Sequence, residues 1–239
     1  MNFLDLTLPT PQGNLACDEA LLDLCEQGRA GETLRFWESP APFVVLGYSN
    51  KAGTEVNLDS ARRAGVPVLR RCTGGGAVLQ GAGSLNFSLV LKIPETGPLS
   101  GITSTNEEIM NRHKDALAPV AGGPIAVQGH SDLALGELKF SGNAQRRRRH
   151  WLLFHGTILL GADMELMERL LPMPSRQPDY RRNRPHREFL TNLDVSARAV
   201  KEALQAAWNA HDPLVEVPAE KIAALARGQY SRDEWNFKF

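Results

Sequence analysis

The stretch "RRCTGGGAVLQGAGSLNFSLV", residues 70 to 90, constrains the fold more than any other part of the chain. A strand-like run, "VPVLRR", delivers Arg70 and Arg71 to three consecutive glycines, Gly74 to Gly76. Beyond them Leu85, Phe87, Leu89 and Leu91 alternate with Asn86, Ser88 and Val90, the pattern of a strand with one face in the core. Residues without a β-carbon at a strand end let backbone amides approach a ligand closely, and a phosphate would reward several such N–H donors. Arg71 adds a fixed cation. No Gly-Lys-Ser/Thr follows and no helix follows, so the run is neither the phosphate loop of nucleoside triphosphatases nor the dinucleotide fingerprint. Taken alone, it is equally a flexible hairpin or bulge.

The surrounding pattern mixes helices and strands without strict alternation. "NLACDEALLDLCEQ" spaces its apolar residues for an amphipathic helix, with Asn14 as the expected cap. "TLRFW" and "PFVVLG" are short strands, and "VNLDSARRAG" is a helix closed by Gly65. Residues 103 to 117 are helical; "PIAVQG", "DLALGELKFSGNAQ" and "HWLLFHGTILL" are strands, the second broken by a turn at Gly136. Helices return after residue 163, interrupted by the loop "PMPSRQPDYRRNRPHREFL". This order predicts an α+β fold, a mixed or antiparallel sheet flanked by helices. The main domain is expected over 1–180, with a short helical extension over 181–239 packed on it.

Bulk composition excludes several classes. The 27 basic and 27 acidic residues cancel, which argues against a nucleic-acid binder, and no recognition helix or aromatic stacking motif is evident. No run of about 18 apolar residues and no signal-like amino terminus occurs, so a cytoplasmic protein without a membrane partner is expected. Three cysteines, Cys17, Cys25 and Cys72, have neither disulfide nor zinc spacing.

Two further residues stand out. Lys139, on a strand expected inside the fold and followed by Ser-Gly-Asn, needs an anion, although lysines also blunt edge strands. His155 interrupts the apolar run "FHGTILL", where a lone histidine is usually a satisfied core residue.

In this order and with these separations, "RRCTGGGAV", "GSLNFS", "DL...GELKFSGNAQ" and "HGTILL" closely resemble the lipoate-protein ligase A family, within the biotin and lipoate ligase superfamily. The likeness runs from about Asn14 to about Leu160. It implies an ATP-dependent ligase with the biotin/lipoate ligase catalytic fold, joining lipoate or octanoate to a lysine of an apo lipoyl-domain protein through an acyl-adenylate. It further implies that Arg71, Gly76, Ala77, Val78 and Leu79 contact the nucleotide and that Lys139 lies between acyl carbonyl and phosphate. Gly74, Gly75, Asn86, Ser88, Asp132, Ser141, Gly142, His155 and Gly156 then line the acyl and adenylate pocket. Mg²⁺ accompanies the triphosphate, with no protein ligand assigned.

The chain departs from that family at two points. Gln80 stands where members commonly carry a histidine, and the 79 residues beyond Leu160 are expected to be too few for the usual accessory domain. An octanoyltransferase of the same superfamily is the alternative, and it needs a reactive thiol. Related transferases carry that cysteine in the loop ahead of the lysine motif, but residues 118 to 131 contain none, leaving Cys72 or a space-filling role for it. A non-catalytic acyl-binding relative is a third reading. "QRRRRH" and "YRRNRPHR" gather eight arginines, expected either as solvated loops or as a docking surface for an acidic lipoyl domain.

Overall fold

The computed structural model describes residues 1–239. Its strands are β1 (Asn2–Asp5), β2 (Thr33–Trp37), β3 (Phe43–Leu46), β4 (Val68–Arg70), β5 (Val78–Gln80), β6 (Ser84–Lys92), β7 (Ile125–Gln128), β8 (Asp132–Leu135), β9 (Leu138–Arg147), β10 (Trp151–Leu159) and β11 (Asp212–Pro213). The helices are α1 (Pro11–Glu26), α2 (Ala52–Glu55), α3 (Leu58–Arg63), α4 (Ile102–Leu117), α5 (Met164–Leu170), α6 (His186–Phe189), α7 (Ala197–Ala207), α8 (Ala219–Leu225) and α9 (Asp233–Asn236).

Eight strands form one sheet in the order β11-β1-β2-β6-β10-β9-β8-β7, and β4-β3-β5 form a second. The long strands β6, β10 and β9 pair antiparallel, while β1 runs parallel to both its neighbours and β3 parallel to β4. The sheet is mixed, as the strand and helix pattern predicts. One face carries Phe87, Leu89 and Leu91 against Ile109 and Met110 of α4 and Val200 and Leu204 of α7. The opposite face packs on α1, the small sheet and Ile222 of α8.

Two local expectations change. Pro11 opens α1 and Thr10 caps it, its hydroxyl accepting from the Gly13 amide at 3.1 Å. Proline at the first helical position loses a hydrogen bond that no helix would make. Asn14 is buried inside the helix, where its side chain holds the Leu8 backbone and accepts from Arg35. Strand β6 is buried on both faces rather than one. Its polar residues Asn86 and Ser88 face a buried polar layer, and that layer carries the site.

Candidate active site

The two arginines that end β4 and follow it have separate tasks. Arg70 is fully buried and donates to the carbonyls of Gly47, Tyr48 and Asn50 on one side and of Trp235 and Asn236 on the other. It thus ties α9 to the turn after β3. Arg71 turns instead into the glycine run, donating to the Thr73 hydroxyl at 3.0 Å and to the carbonyls of Gly74 and Gly76 at 2.5 and 2.9 Å. Burial lowers its pKa to about 10, so the guanidinium stays charged near neutrality.

Across a trans peptide, the carbonyl of one residue and the amide of the next point to opposite sides. With the Gly74 and Gly76 carbonyls gripped by Arg71, the amides of Gly75 and Ala77 face away from it. None of the amides of Gly74, Gly75, Gly76 and Ala77 donates to another backbone group. Gly75 adopts a φ of 86°, and its carbonyl lies where a β-carbon on Gly47 would come within 2.0 Å. This tight contact requires glycine at position 47.

Beneath the run lies a buried chain of polar contacts. The Asp18 carboxylate accepts from Arg35 at 2.5 Å and from Nδ1 of His155 at 3.1 Å. Nε2 of His155 pairs with the Thr73 hydroxyl at 2.7 Å, which closes the path to Arg71. Burial alone would raise the Asp18 pKa, but the Arg35 charge and the His155 contacts outweigh it and hold the carboxyl below its ordinary value. His155 therefore has both ring nitrogens engaged and supports the glycine run through Thr73. Ser88 lies opposite it on β6.

Gln80, Asn86 and Thr157 form a closed ring. Gln80 donates to Thr157 at 2.7 Å, Thr157 to Asn86 at 2.8 Å and Asn86 back to Gln80 at 2.8 Å. One amide thereby joins the small sheet to two strands of the large one, with a donation and an acceptance satisfied in place of the histidine expected from the family. Gln80→Leu should leave buried partners unpaired and cost about 1–3 kcal/mol. A thermal unfolding scan would then show a fall of roughly 2–10 °C for a chain of this size.

Lys139 sits beside a β-bulge, where the pairing of β8 with β9 shifts register at Leu133 and Ala134. The bulge sends Phe140 into the core and leaves Lys139 and Ser141 on the cavity side. Nζ of Lys139 lies 2.8 Å from Asp132, whose other oxygen accepts from the Tyr180 hydroxyl at 2.8 Å. Burial and the Asp132 charge push the phenol pKa well up, so Tyr180 remains a donor. Gly142 leaves room for the lysine, because a β-carbon there would meet Nζ at 2.8 Å.

Lys139, Ser141, Gly142 and Thr157 line one cavity together with Ala77, Val78 and Leu79. The loop after the glycines and the lysine strand thus share a space, although about 60 residues separate them. Gly75 passes over β9 at Ala144. Gly156 lies directly against Asn143, next to the cavity strand. Sequence reasoning missed Thr73, Asp18, Tyr180, Arg181 and His186; the last three lie in or beside the cavity or its lysine–aspartate pair, and their only sequence signal was a basic, aromatic loop.

No group of three or more His, Cys, Asp or Glu side chains is placed to hold a metal ion, and Asp132 is engaged by Lys139 and Tyr180. The side chains present therefore do not make a resident Mg²⁺ site. The arginine clusters are also less free than the sequence suggests. Arg146 and Arg148 pair with Glu19 and Asp23, and Arg147 holds the Leu99 and Ser100 carbonyls. Arg184 holds the Glu137 and Tyr180 carbonyls, Arg187 pairs with Glu165 and Glu168, and Arg182 with Glu137. Most of the eight therefore have a partner within the chain, although Arg182 and Arg187 and their carboxylates stay exposed to solvent.

A mixed sheet between helix layers thus brings a glycine cradle and a lysine strand to one cavity. The chain matches the family model of the lipoyl protein ligase A/B catalytic domain over residues 10–209 and belongs to that family. It is 31% identical to lipoate-protein ligase A subunit 1 of Thermoplasma acidophilum, covering 97% of this chain and 95% of that one. It is likewise 30% identical to the octanoyltransferase LipM of Geobacillus kaustophilus, over 99% and 97% of the two chains. A crystal structure of lipoate-protein ligase A bound with ATP superposes with a TM-score of 0.81 at 29% identity, covering 99% of each chain. These relatives are enzymes that modify proteins with lipoyl or octanoyl groups. No helix of this chain is long and apolar enough to cross a membrane.

Proposed function

We propose that this chain is an ATP-dependent lipoate or octanoate protein ligase. The observation that carries the reading is the cavity shared by Lys139 and Ala77 to Leu79, beside the unpaired amides of the glycine run. In the first half-reaction a carboxylate oxygen of the acid attacks the α-phosphorus of ATP and pyrophosphate leaves. Charge gathers on the phosphoryl oxygens, where pre-placed amides and the Lys139 ammonium stabilise it without reorganising. In the second, a lysine amine of a lipoyl-domain acceptor attacks the acyl carbon, loses its proton and displaces AMP. The same ammonium faces the tetrahedral oxyanion.

The state of the thiols favours this reading over acyl transfer through a cysteine. Cys17, Cys25 and Cys72 are all buried. Burial first, and then Glu19, pushes the Cys72 pKa up to about 11; Cys17 rises to about 11 and Cys25 to about 12. A transferase nucleophile needs the opposite, an exposed thiol with a lowered pKa.

Intact mass of an apo lipoyl-domain protein, after incubation with the enzyme, Mg²⁺-ATP and lipoate or octanoate, tests the proposal. It predicts an ATP-dependent mass gain that persists in Cys72→Ser. Gain only from an acylated carrier protein, lost in Cys72→Ser, would establish the transferase instead. No gain from either donor would leave an acyl-binding protein.

A further inference from the structure

Residues 47 to 50, between β3 and α2, belong to no strand or helix, yet they touch the glycine run twice. The Tyr48 amide donates to the Thr73 carbonyl at 2.7 Å, and Gly47 lies directly against the Gly75 carbonyl. A short turn of this kind has few contacts of its own to fix it, so its position depends on whatever holds its other side.

That side is held by residues 229 to 239. The Arg70 guanidinium that grips the turn's three carbonyls grips those of Trp235 and Asn236 as well. Its main chain does the same: the Arg70 amide donates to Oδ1 of Asn236 at 3.0 Å, and its carbonyl accepts from the Trp235 indole at 2.9 Å. Asn236 donates in turn to the Tyr230 carbonyl at 3.1 Å. Tyr230 and Gln229 then donate to the buried Glu19 carboxylate of α1 at 2.6 and 2.9 Å, which anchors the whole segment to the core.

The Tyr48 side chain is seized from the same direction. Its ring is 43% exposed, yet Nζ of Lys238 stands 3.4 Å from its centre and 3.9 Å from that of Trp235. Trp235 and Phe239 meet the Tyr48 ring edge-on at 5.8 and 6.3 Å. An ammonium over ring faces and edge-to-face ring pairs attract beyond simple burial, so an exposed side chain is fixed in one place.

We propose that residues 229 to 239 position the glycine run from behind, with Tyr48 as the joint: its ring is held by Lys238 and Trp235, its carbonyl by Arg70, and its amide holds Thr73. Tyr48 and Lys238 are positioning residues, for neither lines the cavity of Lys139. Amides stabilise developing charge only when they are already in place, so loosening the joint should slow chemistry without touching the binding of the acid. This catalytic consequence rests on the ligase reading, whereas the mechanical link between segment and glycine run does not.

Amide hydrogen exchange followed by NMR on the full chain tests the link without requiring turnover. Tyr48→Ala should speed exchange of the amides at positions 48 and 71, bonded to the Thr73 and Leu46 carbonyls, by about tenfold, with β9 and β10 unchanged. Lys238→Ala should give about threefold at the same two amides, and Lys238→Arg, which keeps a cation over the rings, should restore wild-type rates. In acid-dependent exchange of pyrophosphate into ATP, Tyr48→Ala should lower kcat about tenfold at unchanged KM for octanoate, the split expected when an interaction of the transition state alone is lost. Tyr48→Phe, which keeps the ring, should restore it. Unchanged amide exchange at both positions in Tyr48→Ala would overturn the joint, and faster exchange with undiminished kcat would overturn its catalytic consequence. Absence of pyrophosphate exchange from the wild-type protein would overturn the ligase reading alone, and the amide rates would still decide the mechanical link.

Discussion

Lys139→Ala is expected to slow acyl-adenylate formation by about 10²–10³-fold, the range seen when one preorganised donor to a developing oxyanion is removed. The geometry explains why a loss of this size should fall on the chemical step. Nζ is held 2.8 Å from Asp132, and Tyr180 fixes the other oxygen of the same carboxylate. The ammonium therefore reaches the reacting phosphate already oriented. Substrate binding should suffer less, because the amides of the glycine run and the cavity walls remain. Asp132→Asn offers a second probe, since it removes the holding charge and leaves the lysine in place. A loss of about tenfold is expected there, with the lysine free to drift. Single-turnover rates for both variants, with circular dichroism to establish folding, would check these effects. Wild-type activity in Lys139→Ala would contradict the assignment of this residue.

The second large effect concerns stability. Arg35→Met should destabilise the fold by about 3–5 kcal/mol, the usual result of stranding one member of a buried ion pair. Arg35 and Asp18 are both buried, and loss of the guanidinium leaves a carboxylate facing His155 inside the core. Urea unfolding would show the midpoint moving to lower concentration with little change in slope. The same pair predicts the acid response. Because the fold holds the Asp18 carboxyl below its ordinary value, its contribution is fully present above about pH 4 and is lost as the pH falls through the folded value. Wild-type stability should consequently fall more steeply below pH 4 than that of Asp18→Asn. Equal slopes would remove Asp18 from the explanation. The consequence reaches the site, since Asp18 supports Thr73 and the glycine run through His155.

Much of this was legible from the chain because it depends on local pattern. The period-two alternation of "SLNFSLVLK", the turn at Gly136 and the glycine run all have structural reasons within a few residues. Lys139 stood out because a cation on an interior strand requires an anion. What escaped depends on long-range contact. Arg70 and Asn236 are joined across 166 positions, and no local pattern announces that pairing. Asn14 has the residue type of a helix cap but is drawn inside by Arg35, while Thr10 takes the terminus. The eight clustered arginines looked alike in sequence, yet the fold buries Arg181 in a cavity and spends most of the others on backbone carbonyls and carboxylates. Gln80 departs from the family's histidine in the glycine motif, and the hydrogen-bond ring that uses it depends on strands far away in sequence.

The central claim, ATP-dependent activation of a medium-chain acid, is tested most directly by exchange of labelled pyrophosphate into ATP. The measurement follows reversal of adenylate formation and needs no acceptor protein. The account predicts exchange that depends on lipoate or octanoate, persists in Cys72→Ser and is nearly abolished in Lys139→Ala. Absence of acid-dependent exchange from folded enzyme that nevertheless passes an octanoyl group from a carrier protein to the acceptor would contradict it.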